Sequence, residues 1–267
     1  RIAILDMHNN FVGAIRQVDI VLSNKAEALP LLISHIKEHI QQSGIAKEKF
    51  VGIGIGMPGF VDVIKGINHS FLKTESGQNI AHLIEDAIEI PVLIDNDSSL
   101  IALAELKLGS AKGKKNAMVI NISWGIGLGM IVNGELFRGY NGFAGEFSHI
   151  SLFPNNKMCS CGKSGCLETE TSLLVVAEKA IQGLKEGRTS LLKLENLALD
   201  KAESTTKTII EAAITGDRFA VELLSEAGYN IGRGIAILIH LFNPELIILS
   251  GRGATAGKLW LTPIQQA

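Results

Sequence analysis

The sequence is short of cysteine, of net charge and of long apolar runs. It has 267 residues and only 3 cysteines. An odd, clustered set excludes a disulfide framework and points to a reducing compartment, so a cytoplasmic location is expected. The formal net charge is −2. This part of the chain therefore has no basic footprint for gripping nucleic acid. No apolar run reaches membrane-spanning length, which excludes a transmembrane helix and leaves no membrane partner to expect. Charged residues make up only 19% against 46% hydrophobic, which excludes long disordered tails and leaves enough apolar surface for one large or two medium domains. No short-period repeat is visible. The chain starts at Arg1 and runs straight into Ile2-Ala3-Ile4-Leu5, as a piece of a longer protein would.

What is present is an alternation of strand and helix patterns. Two short strands are expected over residues 2–18, around the polar turn Asp6 to Asn10. A helix follows with Leu29, Leu32, Ile33, Ile36 and Ile40 on one face and Gly44 as its stop. Val51 to Gly56 alternates glycine with β-branched residues, the pattern of a buried strand approached by other backbone. A helix is expected over Ile80 to Ile88, a strand at Val92-Leu93-Ile94, and a helix from about Ser98. The pattern restarts after Gly109 to Lys115, so lobes of 1–110 and 111–267 are expected. The second begins with strands at Ala117 to Ile122 and Gly127 to Val132, then an Asn133-Gly134 hairpin. Helices are expected at about 171–185, 204–215, 217–228 and 229–241, and a strand at Leu246 to Leu249. Two successive sets of this kind predict an α/β protein of two lobes with a cleft between them.

Four constellations could carry chemistry. Cys159, Cys161 and Cys166 share one eight-residue window, and His149 lies ten residues before it. Three thiols and an imidazole form a closed donor set for a structural zinc ion, and Gly162 and Gly165 would let the loop turn tightly. The alternative is three buried thiols and an unrelated histidine, but the polar, glycine-rich spacing does not resemble core filler. Glu146 and Glu168 flank this cluster. Asp95-Asn96-Asp97 ends a strand, where ligand and catalytic groups of open α/β sheets gather. Asp97 could act as a general base there, or could merely cap the next helix. Gly125-Ile126-Gly127-Leu128-Gly129 could meet phosphate or could allow close sheet packing, and Trp124 before it would crowd a nucleotide. Glu146 and His149, three apart on a short turn, could both reach one polyol.

Together these runs resemble the ROK family, which groups sugar kinases with sugar-responsive transcriptional repressors. The resemblance rests on Gly56-Met57-Pro58-Gly59, Ile94-Asp95-Asn96-Asp97, Gly125 to Gly129 with Asn133-Gly134, Gly142 to Glu146 with His149, the cysteine loop through Glu168, and Leu249-Ser250-Gly251. It implies an actin-like, hexokinase-like fold of two duplicated ribonuclease H-like lobes. By this resemblance Gly59, Asn79, Asn96, Asp97, Glu146, His149 and Glu168 surround a sugar. Asp97 would be the base of a kinase. His149 would give one ring nitrogen to zinc and the other to a hydroxyl.

In a kinase, Gly125, Gly127 and Gly251 would approach the nucleotide, with ATP and Mg²⁺ as cofactors. Departures from the kinase pattern favour the repressor branch. The sequence starts just after where the Asp-x-Gly-x-Thr turn of the kinases would stand, so that turn is either lost or trimmed off before Arg1, and the weight falls on the glycine run. Ser123-Trp124-Gly125 stands where the kinases carry Gly-Thr-Gly. Ser148 replaces a usual glycine, a mild change, and the sequence stops at Ala267, before the family's last helix is expected. The expectation is a sugar-sensing effector domain for a hexose or amino sugar, in a homodimer or homotetramer. DNA would be contacted by a winged helix upstream of Arg1. The alternative is an ATP-dependent hexose or amino-sugar kinase.

Overall fold

The computed structural model describes residues 1–22, 27–72, 77–140 and 142–267. The chain divides into two compact units: Arg1–Leu100 with Gly139–Phe143, and Ile101–Arg138 with Ala144–Ala267.

The first unit contains α1 (Ala28–Gln42), β1 (Ile53–Met57), β2 (Val61–Asp62), β3 (Ile67–Asn68), α2 (Ile80–Ile88) and β4 (Val92–Asn96). The alternating Gly/Ile run does form a strand: β1 pairs in parallel with β4, from Ile53↔Val92 to Met57↔Asn96. Ile80, Ile84 and Ile88 lie on one face of α2 and are buried. They pack with Met57, Val92 and Ile94 as the core of this unit. Asn79 caps α2 at its start, and Glu89 ends it in the left-handed conformation at φ 58°. The two strands expected over residues 2–18 appear only as isolated bridges, Ile2↔Arg16 and Leu5↔Phe11. The Asp6 carboxylate accepts the His8 and Asn10 N–H groups and sets the expected turn. Beyond it, Leu5 and Phe11 remain mostly exposed, so burial does not reinforce the pairing.

Helix α3 (Asp97–Leu108) carries the chain out of the first unit. The boundary between the units falls inside this helix, whereas the junction expected from sequence lies just past its end. The second unit holds β5 (Ala117–Ile122), β6 (Ile126–Val132), β7 (Glu135–Phe137), α4 (Glu168–Thr171), α5 (Leu173–Lys185), α6 (Ala202–Ile214), α7 (Arg218–Phe242), β8 (Leu246–Ser250) and α8 (Lys258–Gln266). Its sheet runs β7-β6-β5-β8. β5 is antiparallel to β6 and parallel to β8. Every residue of β5 is buried, the polar Asn121 included, as befits an internal strand paired on both edges with β6 and β8. Asn133 and Gly134 both take positive φ, 56° and 82°, and close the β6–β7 hairpin between Val132 and Glu135.

Two expectations change in the helical layer. The helices expected at 217–228 and 229–241 are one continuous helix of 25 residues. Its glycines do not break it, because they are sites of close approach. A Cβ on Gly228 would lie 2.9 Å from Pro263 Cγ, and one on Gly234 would lie 2.7 Å from Leu167 Cδ2. The second change is α8, which packs on α7 despite Pro263 in its interior.

Candidate functional site

In the second unit the cysteine loop closes on itself through backbone bonds. The Cys159 N–H donates to Lys163 O at 2.8 Å, and the Gly165 N–H donates to Lys157 O at 2.9 Å. Gly165 has φ 69° and lies so near the Phe153 carbonyl that a Cβ would collide with it. This folding gathers His149, Cys159, Cys161 and Cys166, whose donor atoms all lie within 4.8 Å of one another. Cys159 Sγ sits 3.5 Å from His149 Nδ1, and Cys161 Sγ sits 3.6 Å from Cys166 Sγ. Four donors on a tetrahedral zinc, with Zn–S about 2.3 Å, would stand about 3.5–3.8 Å apart. The residues therefore fit a metal ion of that size and preference.

The ionisable groups of the loop shift in different directions. Burial pushes the Cys166 thiol up to about 12, helped by the neighbouring Cys161 and Cys159. Burial also raises the Cys161 thiol, but the Lys163 N–H and the two other thiols outweigh it, so the net shift is downward. Burial lowers the His149 imidazole, and the Glu168 charge opposes that only in part. The partly buried imidazole is thereby favoured in its neutral form, the form that ligates a metal.

Glu146 and Glu168 flank this cluster in the sequence. Gly145, at φ 95°, packs so tightly on the Leu128 carbonyl that only a glycine fits. That contact sets the turn leading into Glu146. Glu146 Oε2 faces His149 Nε2 at 3.7 Å, the ring nitrogen opposite the one that meets Cys159. Glu168 opens α4 directly after Cys166 and Leu167. Its Oε2 accepts the Ile126 N–H at 3.2 Å and lies 2.5 Å from where a Cβ on Gly125 would sit. The absence of a side chain at Gly125 is thus explained by the carboxylate. One residue earlier, the Arg252 guanidinium lies over the Trp124 ring, 4.9 Å from its centroid. Arg252 Nη1 also donates to Ser123 Oγ at 3.3 Å. Gly251, at φ 84°, sits against Asn121 and the Ile122 carbonyl, with no room for a Cβ.

The first unit arranges the other group of expected residues. Asn96 ends β4 and supplies the cap of α3: its Oδ1 accepts the Ser98 and Ser99 N–H groups at 2.9 and 3.1 Å. The capping alternative weighed for Asp97 is therefore met by its neighbour. Asp97 Oδ1 accepts the Ser98 N–H at 2.8 Å. Asn96 Nδ2 donates to the Gly59 carbonyl at 3.0 Å, which ties the Met57-Pro58-Gly59 turn to the end of β4. Gly59 has φ 85°, and a Cβ there would lie 2.5 Å from Ser70 Cβ. Asn79 Oδ1 accepts the His82 N–H at 3.0 Å, so a helix cap accounts for this residue.

Sequence reasoning missed two supports. Asn68 is 1% exposed. Its amide donates to the Pro58 carbonyl and accepts from the Ser70 and Phe71 N–H groups. Glu170 accepts from Asn155 at 2.8 Å and from Lys179 at 2.9 Å. Neither has a sequence signal, since isolated Asn and Glu residues are common on surfaces.

Residues 11–267 match the ROK family. The chain belongs to the ROK family. It is 35% identical over 251 residues to a glucokinase of Halalkalibacterium halodurans, covering 91% of this chain and 75% of that one. It is 30% identical over 255 residues to the DNA-binding transcriptional dual regulator NagC of Escherichia coli, covering 92% of this chain and 61% of that one. Among solved structures, a ROK family transcriptional regulator homologous to the E. coli Mlc protein superposes with a TM-score of 0.83 at 29% identity, over 99% of this chain and 65% of that one. The fold is the actin-like, hexokinase-like fold of this ROK group. The chain spans less than two thirds of these two regulators' length. Among the described residues, no helix is long and apolar enough to cross a membrane.

Proposed function

We propose that this chain is the sugar-sensing effector domain of a ROK transcriptional repressor. The observation that carries this reading is the Trp124–Arg252 stack on the glycine turn. Phosphoryl transfer depends on placing phosphates against small, bare backbone and neutralising their charge. Here that turn carries an indole under a guanidinium and is met by the Glu168 carboxylate. A carboxylate against the turn opposes a polyphosphate and suits hydroxyls.

In this reading Glu146, His149 and Glu168 take sugar hydroxyls, and the family resemblance carries over Asn96, Asp97, Gly59 and Asn79 as further sugar-binding residues. Zinc on His149, Cys159, Cys161 and Cys166 plays a structural part: it fixes the imidazole tautomer and leaves Nε2 directed at the ligand. DNA recognition belongs to a winged helix outside these residues, in a cytoplasmic homodimer or homotetramer matched to paired half-sites. Control requires that sugar bind the DNA-free arrangement more tightly than the DNA-bound one.

The test is a gel-shift titration of the whole regulator on its own promoter DNA, with glucose and N-acetylglucosamine as probes. Release of DNA by one sugar, lost in Glu168→Gln, supports the reading; DNA binding unmoved by either contradicts it. The second reading, an ATP- and Mg²⁺-dependent hexose kinase, draws on the glucokinase likeness and on Asn96 taking the capping role beside Asp97. There Asp97 is the base, and Gly125, Gly127 and Gly251 approach the nucleotide.

A further inference from the structure

Helix α4 is a single turn, Glu168–Thr171, between the last cysteine and the start of α5. So short a helix has no stability of its own, and its orientation is set by what holds it. Three observations show what does. At its front, Cys166 belongs to the donor cluster, and Thr169 Oγ1 donates to the Cys166 carbonyl at 2.7 Å. Along its flank, Lys157 Nζ donates to the Thr169 carbonyl at 2.9 Å. At its far end both oxygens of Glu170 are taken, Oε1 by Asn155 and Oε2 by Lys179.

Lys179 lies on α5, and its ammonium also donates to Glu226 on α7 at 3.0 Å. The ammonium is partly desolvated, yet the two carboxylates more than compensate and raise its pKa. The Glu170 side chain is only 13% exposed, so this is not an ordinary surface ion pair. Glu168 and Glu170 are two residues apart on the same turn and project to different partners: the first to the glycine turn, the second to Lys179.

We propose that Lys179 is a positioning residue for the ligand. By clamping Glu170 it sets the angle of α4 and with it the reach of the Glu168 carboxylate, and through Glu226 it joins that carboxylate to α7. This rests on the reading of Glu168 as a ligand-facing group. Neither Lys179 nor Glu170 is a member of the donor cluster, so the clamp can be broken without removing a metal donor.

The experiment is calorimetric titration of the whole protein with glucose and with N-acetylglucosamine, with zinc per chain measured on every sample. For the sugar that binds wild type, Lys179→Met is expected to weaken affinity about tenfold, the effect of losing one charge-assisted bond that fixes a carboxylate. Lys179→Arg should recover most of that loss, since it keeps the cation. Zinc content should stay at the wild-type value in both. In a Glu168→Gln background Lys179→Met should have no further effect, because the two act through one carboxylate.

If Lys179→Met fails to fold, Glu170→Gln, an isosteric change, takes its place with the same expected weakening. Wild-type affinity in the Lys179→Met or Glu170→Gln protein, loss of zinc with loss of affinity, or additive effects with Glu168→Gln would overturn the clamp while leaving sugar sensing intact. Binding of neither sugar to wild type would overturn both.

Discussion

Glu168 Oε2 and the Ile126 N–H are joined by a 3.2 Å hydrogen bond, and the bond exists because Gly125 has no side chain in its way. The glycine turn and the carboxylate are therefore one unit. An alanine at position 125 would put its Cβ 2.5 Å from Glu168 Oε2, and the carboxylate is the part that can move. Gly125→Ala should thus weaken sugar binding about tenfold, comparable to losing one hydrogen bond to a charged group. The melting temperature should change little. Calorimetry on the purified variant checks this; wild-type affinity would mean that the placement of Glu168 is irrelevant to the ligand.

The metal cluster makes a prediction with a definite pH direction. Cys166 is held up to about 12 by burial, so metal binding must displace its proton. Zinc uptake should release protons, and zinc affinity should fall as the pH is lowered. Cys161→Ser should reduce zinc per chain and also weaken sugar binding, since His149 and the start of α4 lose their anchor. Metal analysis beside calorimetry separates the two effects. Undiminished sugar affinity in a folded, zinc-free variant would make the cluster purely structural.

Asp217 governs a stability test remote from the site. Its carboxylate caps α7 through the Ala220 N–H at 2.8 Å and also accepts from the Leu191 N–H and Ser190 Oγ. Burial raises its pKa, but the Ala220, Leu191 and Ser190 bonds outweigh burial and the net shift is downward. Because the folded value lies below the unfolded one, the carboxylate stabilises the fold at pH values above the unfolded pKa of about 4. That contribution is lost as the pH falls through the lower folded value. Asp217→Ala should cost about 1–3 kcal/mol at neutral pH, by loss of the cap and stranding of buried donors. The deficit should shrink on acidification. Urea unfolding at two pH values checks both parts, and an equal deficit at both would refute the linkage.

Most of the second unit's framework was legible in the sequence. The mostly apolar stretch 117–122, the Asn133-Gly134 turn and the cysteine window each carry a local signal strong enough to survive tertiary context. The division of 217–241 into two helices did not survive. Gly228, Gly232 and Gly234 carry a helix penalty in isolation, but here they admit α8, Phe147 and Leu167 into contact, which no local rule reports. In the first unit, a turn at residues 6–10 was legible, but flanking strands were not formed where the apolar residues stay exposed. At the site, residue types were legible and partnerships were not. Nothing in the run Asp95-Asn96-Asp97 says that Asn96 rather than Asp97 takes the cap. The anchoring of Glu170 by Lys179 depends on helix packing that the sequence does not display.

The most direct test of the account is an assay for ADP formation by the whole protein with ATP, Mg²⁺ and a panel of hexoses and N-acetylhexosamines. The same sugars are titrated calorimetrically without nucleotide. The account predicts heat of binding with one of the sugars and no ADP above background with any. ADP formation that depends on the sugar and disappears in Asp97→Asn would contradict it and make this chain a kinase.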